Sequence, residues 1–293
     1  MRIHRRWVAA AGIGCLTFMV VPRLAAQDQR TALLDAERAA AATSRDSGFA
    51  NAILGNIHRD GILLWPGAPN VAGVSDLKRF LAGLQTDSLH LTWQPLGVDI
   101  ARDSSLGITW GLVVAGASGT ARAPELGRYI AAWRRDRARW TIAALVFVGL
   151  RLPQPALNGA LPLSRRAIKP DGNAGAFVAA DLAFARLAAD SGAGIAFERW
   201  AAPGAIIFGD RGLLVRGPEA IGRTVDSPAQ WRWHPVAAGA AASGDLGWTV
   251  GEATIAASGT ELTHSKYLTA WVRLNGGPIR FVNDGGNDRP ASR

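Results

Sequence analysis

Four ionisable side chains, Glu252, His264, Tyr267 and Asp284, fall on or beside the last predicted strands of the chain. They supply a carboxylate, an imidazole, a phenol and a second carboxylate, the groups from which general acid and base catalysis is assembled. Glu252 has the same strand parity as Leu246, Trp248 and Val250, so period-two alternation puts all four on one face. If that face is closed to water, the carboxyl pKa rises, which suits a base or an acid. Each residue also has a plainer reading. Glu252 can sit at a strand rim, His264 in a solvated loop, and Tyr267 in the core with its hydroxyl satisfied. Asp284 can open the Gly285-Gly286 turn, and Asp245 reads as a turn former in a hairpin connection.

Other chemistries lack their spacing. His58, His90, His234 and His264 form no HxxxH or HExxH pair, so no metal site is expected. No GxxxxGK phosphate loop occurs, and Ser118 in Gly116-Ala117-Ser118-Gly119-Thr120 lacks the second glycine of a nucleophile elbow. No cofactor is expected. Trp133, Arg135, Arg137 and Arg139 mix aromatic and basic groups as nucleic-acid binders do. A solvated hairpin end explains them as well, and no nucleic-acid partner is expected.

The first residues differ from the rest. Arg2, Arg5 and Arg6 precede an uncharged apolar run, Val8 to Val21, which is short for a membrane span. Leu24-Ala25-Ala26-Gln27 then offers small residues for cleavage, so residues 1–26 read as a secretory signal peptide, with an uncleaved anchor as the alternative. The expected location is periplasmic or secreted, with no stable membrane span after processing. The segment holds four Arg and no acid, so its removal lowers the formal charge from +9 to +5. It also takes away Cys15, the single cysteine, and with it any disulfide or thiolate metal site. Apolar flanks on Cys15 argue against lipid attachment there.

The mature part matches itself as two copies of one unit, which organises everything that positions these groups. Asp46-Ser47-Gly48 returns as Asp190-Ser191-Gly192, and Gly73 with Leu77 as Gly217 with Ile221. Trp93-Gln94-Pro95 returns as Trp233-His234-Pro235, and Leu106-Gly107-Ile108-Thr109-Trp110-Gly111 as Leu246-Gly247-Trp248-Thr249-Val250-Gly251. Tyr129-Ile130-Ala131-Ala132-Trp133 then returns as Tyr267-Leu268-Thr269-Ala270-Trp271. Each copy starts with an alanine-rich helix, then a short helix (49–57; 195–201) and a strand (62–65; 205–208). A Pro- or Gly-rich turn segment and a third helix (75–84; 218–225) follow. Four long strands close each copy, at about 90–101, 105–118, 126–136 and 139–148, then 230–241, 245–257, 262–274 and 278–283. Helices before strands predict an α+β domain with an antiparallel sheet. The expected layout is a first domain over 30–150, a breaker-rich linker over 151–173, a second domain over 174–286 and a tail over 287–293.

This ordered set resembles the SnoaL-like domains of the superfamily of nuclear transport factor two and ketosteroid isomerase, in its bacterial branch. Carrying the resemblance are Gly217, Ile221, Trp233, Pro235, Gly244-Asp245-Leu246-Gly247, Thr249, Gly251, Lys266, Tyr267, Trp271 and Asp284-Gly285-Gly286. Copy one matches with Gly73, Leu77, Trp93, Pro95, Leu106-Gly107, Thr109, Gly111, Arg128, Tyr129, Trp133 and Trp140. The resemblance implies two tandem cystatin-like cones, each a curved sheet wrapped around helices with a pocket at the open end. It also implies pairing through outer sheet faces, here within one chain, giving an internal pseudo-dimer and a monomer in solution. A ketosteroid-isomerase-type mechanism would use a carboxylate base with a tyrosine and an acid as donors. Copy two would supply these from Glu252, Tyr267, Asp284 and His264.

Copy one has Leu112, Leu126 and Leu145 or Val146 opposite Glu252, His264 and Asp284, so its pocket is expected to be apolar. Of the eleven Trp, most are expected in cores. Trp233, Trp248, Trp271 and Trp93, with Tyr129, are candidates to line a ligand. The leading expectation is an exported binder of a small, largely apolar molecule. Its alternatives are an isomerase or lyase acting in copy two and a protein-interaction module. Whether the chain is an enzyme is open at this stage, since the fold hosts many activities.

Overall fold

The computed structural model describes residues 21–84, 89–117, 125–152, 174–209, 212–257 and 262–291. The proposed signal segment up to residue 20, Cys15 and Ser118 lie outside them, as does most of the proposed linker. Two sets of elements follow one another. The first is α1 (Val21–Ser47), α2 (Phe49–Asn56), β1 (Ile57–Leu64), β2 (Asn70–Ala72), α3 (Val74–Gly83), β3 (Leu89–Ile100), β4 (Leu106–Ala117), β5 (Glu125–Asp136) and β6 (Arg139–Val148). The second is α4 (Ala174–Ser191), α5 (Ala193–Trp200), β7 (Ala201–Phe208), β8 (Leu214–Arg216), α6 (Pro218–Val225), β9 (Gln230–Ala240), β10 (Leu246–Ala256), β11 (Thr263–Arg273) and β12 (Ile279–Asp288).

The repeat is visible in backbone detail. Gly48 and Gly192 have φ of 90° and 91° at the corner between the first two helices of each half, a conformation that strains any residue with a Cβ. Each sheet has six strands, ordered β2-β1-β6-β5-β4-β3 and β8-β7-β12-β11-β10-β9. The two sheets stay separate. A bulge falls between Ala132 and Trp133 and again between Ala270 and Trp271, and such bulges sharpen the local twist that bends a sheet around its helices.

Three expectations need correction. The sheets are mixed: β1 runs parallel to β6, and β7 to β12, because the four-strand meander returns its last strand alongside the first, running the same way. The turn-rich segments each contain a short edge strand, β2 and β8. The last strand does not stop near residue 283 but runs through Asp284, Gly285 and Gly286 to Asp288. Glycines that look like a turn instead accommodate close contact, since a Cβ on Gly286 would lie 2.4 Å from the Lys266 carbonyl.

Alternation splits every long strand between two environments. On one face of the first sheet, Tyr129, Trp133 and Phe147 pack with Leu33, Phe49 and Leu77 of the helices to form the first cone core. Trp271 and Phe281 do the same with Phe177, Phe184 and Phe197 in the second. The opposite faces meet each other: Ile108, Ile130, Val146 and Val148 share one apolar layer with Leu246, Trp248, Val250 and Leu268. Polar contacts pin the edges of that layer. Hairpin 101–105 meets hairpin 241–245, where Arg102 N donates to Asp245 Oδ2 at 3.1 Å and Ser243 N donates to Asp103 Oδ2 at 2.7 Å. The fully buried Lys266 ammonium donates to the carbonyls of Trp65 and Ala68 in the first half, at 2.8 and 2.6 Å, and to that of Asp288 at 2.8 Å. Asn287 Nδ2 donates to Leu64 O and Phe147 O.

A layer fed equally by both halves should make them unfold together. Leu268→Ala removes a fully buried side chain from it and is expected to cost roughly 2–4 kcal/mol within a single urea transition. Two separate transitions, with only the second shifted, would contradict this coupling.

Candidate functional site

The first helix of each half presents a helical stripe to its sheet, Leu33, Glu37, Ala40, Ala41 and Ser44 on α1 and Phe177, Asp181, Phe184 and Ala188 on α4, all buried. In the middle of each stripe stands one acid, and both acids are fully buried. The same strand positions meet them. In the second cone, Asp181 accepts hydrogen bonds from Trp233 Nε1 at 2.9 Å and from Tyr267 Oη at 3.1 and 3.0 Å. Trp271 Nε1 donates to Thr249 Oγ1 at 2.8 Å, and the Thr249 hydroxyl donates to Asp181. Gly251 makes room for this: a Cβ there would stand 2.1 Å from the Tyr267 hydroxyl. In the first cone, Thr109 Oγ1 donates to Glu37 Oε1 at 2.9 Å and Trp133 Nε1 donates to Thr109 at 2.9 Å. The Tyr129 hydroxyl stands beside Glu37 without completing a hydrogen bond.

A second acid enters only the second cone. Asp284 is paired in register with Thr269, which donates to its Oδ2 at 2.5 Å. Burial pushes Asp284 up to about 7, with the nearby Asp181 carboxyl pushing the same way and Thr269 opposing. Burial raises Asp181 to about 6, held back by its hydrogen bonds from Thr249, Tyr267 and Trp233. Tyr267 is driven well above its ordinary value by burial and then by Asp181, so it remains a donor. Glu37 is raised by burial to about 7. The first cone is therefore not purely apolar, which corrects that expectation: an acid on α1 lies where the strand comparison alone showed only leucine and valine.

Of the four predicted catalytic residues, the structure brings together Tyr267 and Asp284. Glu252 and His264 lie on the other face of the sheet. Glu252 does share a face with Leu246, Trp248 and Val250, but that face is turned toward the first half, and Glu252 pairs there with Arg289 at 3.4 Å. Among the ligand-lining candidates, Trp233 and Trp271 belong to the second cone and Trp93 and Tyr129 to the first. Trp248 lies in the layer between the sheets, over Gly239. Glu37 and Asp181 were missed. Their signal was present, since an acid recurs 144 residues apart on an otherwise apolar helix stripe, the same offset that relates Asp46 to Asp190.

The two cones differ at their mouths. In the first, Phe49, Trp65, Phe80 and Phe147 form one aromatic cluster, with Trp65 centred 5.5, 6.1 and 6.0 Å from the other three rings. All four are essentially unexposed. Their counterparts in the second cone are Ala193, Gly209, Thr224 and Gly286, fixed by the matching helix starts, strand ends and strand pairing. The aromatic bulk of the second cone lies instead on α4 and α5, where Phe184 and Phe197 pack against Trp233 and Phe281. Tyr129 and Trp93 are buried, whereas Tyr267, Trp233, Asp284 and Gly286 keep accessible surface. The first cone is plugged, and in the second Tyr267 and Asp284 keep accessible surface while Asp181 beneath them is fully buried.

These features define each half as a helix-filled, curved-sheet α+β cone of the cystatin-like kind. No protein family and no curated protein matches the sequence. Solved structures are similar to parts of it. An NTF2-like protein with a cystatin-like fold from Novosphingobium aromaticivorans is 19% identical over 52% of this chain and 96% of that one, at a TM-score of 0.38. A ketosteroid isomerase-like protein from Erwinia carotovora atroseptica is 16% identical over 40% and 92%, at 0.33. A computationally designed 17-OHP binder is 14% identical over 39% and 92%, at 0.32.

Glu37 provides a test of the buried acids that needs no ligand. Its folded pKa of about 7 lies above the unfolded 4.5, so the folded state holds the extra proton between these values. Stability is then fully present below about pH 4.5 and falls as pH rises to 7. Glu37→Gln, which mimics the protonated acid, is expected to gain roughly 2–3 kcal/mol over the parent at pH 8 and almost nothing at pH 4. Urea titrations at the two pH values check it; equal effects at both would remove the buried-acid account.

Proposed function

We propose that the second half of this chain binds a small, largely apolar molecule in its cone, and that the first half is a closed partner that supports it. The carrying observation is the replacement of the Phe49, Trp65, Phe80 and Phe147 plug by Ala193, Gly209, Thr224 and Gly286. Indole and phenyl groups surround what remains, and a few polar groups, Asp181, Tyr267 and Asp284, converge on it. That balance of apolar wall and sparse polar handles suits a small-molecule site. The likeness to ligand-binding and isomerase-type cones agrees with this. A role as a protein-interaction module through the outer sheet faces has less support, because those faces cover each other. Export to the periplasm, with cleavage near residue 26, belongs to the same reading and is checked by sequencing the mature N-terminus.

Restoring the plug should close the site. Gly209 has no positive φ, and a Cβ on it meets Thr224 at only ordinary contact distance, 3.7 Å. Gly209→Trp combined with Thr224→Phe is expected to abolish the fluorescence enhancement of the neutral probe N-phenyl-1-naphthylamine, a weakening of at least about tenfold, with the circular dichroism unchanged. Undiminished probe binding by the plugged variant would defeat the proposal.

A second reading, proton transfer of the isomerase or lyase kind, is favoured by one observation: the two carboxyls have different surroundings. Asp181, with three donors, is the better carboxylate base. Asp284, with one, and Tyr267 are the better proton holders. If the cone carries such chemistry, it should exchange the α-hydrogens of 3-cyclohexenone with deuterated solvent. Asp284→Asn and Tyr267→Phe should each slow that exchange by roughly 10²-fold or more; exchange at the solvent rate by the parent protein excludes this reading.

A further inference from the structure

Nothing in the second cone balances the charge of its acids. Among the described residues no arginine or lysine contributes to the surroundings of Asp181 or Asp284; the groups that act on them are burial, hydroxyls, an indole and each other. Three basic groups of the neighbouring strands are engaged elsewhere. Lys266 is held between the halves, Arg289 pairs with Glu252, and Arg280 lies over the Trp200 ring at 5.6 Å. Asp181 is saturated by its donors, but Asp284 receives a single hydrogen bond, on Oδ2. Among the described residues its second oxygen has no partner, although the residue is enclosed and keeps accessible surface. A protein that needed only a neutral, apolar cavity would have had leucine there, as the first cone does at Leu145, the residue in the same register position opposite Ala131.

We infer that the ligand of the second cone is an apolar molecule carrying one protonated amine, whose ammonium group meets the free oxygen of Asp284 while its body lies against Trp233 and the neighbouring Trp231, both of which pack on Phe197. This deepens the binding reading above and rests on it. An ammonium supplies the missing donor and countercharge together, in an enclosed site where a charge-assisted hydrogen bond is strong. The accessible indole faces add attraction for a cation. A neutral alcohol of the same shape would find one acceptor and no countercharge. In the free protein Asp284 holds a proton up to about pH 7, and the groups facing it are Asp181 from α4 and Tyr267 and Thr269 from β11. Binding the ammonium therefore displaces that proton to solvent.

The experiment compares 2-(1-naphthyl)ethylamine with 2-(1-naphthyl)ethanol by titration calorimetry on the full chain, from pH 5 to 8. The amine is expected to tighten by about tenfold per pH unit up to pH 7 and then level off. It should release a proton at pH 6, and at pH 8 it should bind about tenfold or more tightly than the alcohol. The alcohol should show no such pH dependence. Asp284→Asn should erase the preference for the amine over the alcohol and flatten the amine's pH profile, and the pH profile of the parent protein tests the same point without any variant. An alcohol that binds as well as the amine at pH 8, or a flat amine profile, overturns the inference and leaves the binding reading standing. Failure of both compounds together with N-phenyl-1-naphthylamine would overturn both.

Discussion

The apolar layer between the two sheets is the interaction on which the rest depends. It commits one face of most long strands to the partner half, and alternation then commits the other face to a cone. A charge on the outer face, such as Glu252, is confined to its rim, where Arg289 can reach it. Lys266 lies deeper and is tolerated only because three carbonyls receive its ammonium, and burial still lowers its pKa to about 7. The inner faces are released from any duty toward the partner. They carry Asp284, the tyrosines and the paired Trp-to-Thr hydrogen bonds, and they face the helix acids Glu37 and Asp181.

Once fixed in this way, the two halves are free to diverge inside. Both keep the hydrogen-bonded acid and threonine beneath the sheet, and both keep a tyrosine beside the acid. Yet the first spends its mouth on four aromatic rings and the second does not. The contacts across the layer run from the closed half to the wall of the open one. The turn that follows Trp65 is bound by Lys266, and Gly67 N donates to Asp288 O at 2.9 Å. Asn287, three residues past Asp284 on the same strand, is tied to Leu64 and Phe147. The strand that carries the second acid is thus held from outside by the plugged half.

Much of this was legible in the sequence, and the failures share one cause. The order of elements and the duplication were readable because loops changed length while Trp93, Leu106, Tyr129 and Trp133 kept their partners in Trp233, Leu246, Tyr267 and Trp271. The parity of Glu252 was right, and its side of the sheet was not decidable. When both faces of a strand are buried, the apolar pattern does not say which face is the inner one. Leu246, Trp248 and Val250 are as apolar as any pocket wall, and they line the contact with the other half. Asp284 was read beside a turn because Gly285 and Gly286 follow it. Those glycines mark close packing inside a strand: a Cβ on Gly285 would lie 3.0 Å from Val148 of the first half. That constraint comes from a residue 137 positions away and leaves no local trace.

The acids Glu37 and Asp181 escaped notice for a different reason, which bears on why both persist. An ionisable side chain on an alanine-rich helix usually reads as solvation, and only the partners that reach it from strands far along the chain reveal its burial. Burying such a group is costly unless its hydrogen bonds are made. In the second cone three donors meet Asp181. In the first, Glu37 has Thr109 on one oxygen and nothing on the other, so the closed half carries a less well satisfied acid than the open one. A purely structural acid would be best satisfied where it is most enclosed. Here the better satisfied acid lies in the cone whose Tyr267 and Asp284 keep accessible surface, which fits a group held ionised and oriented beneath the proposed binding site.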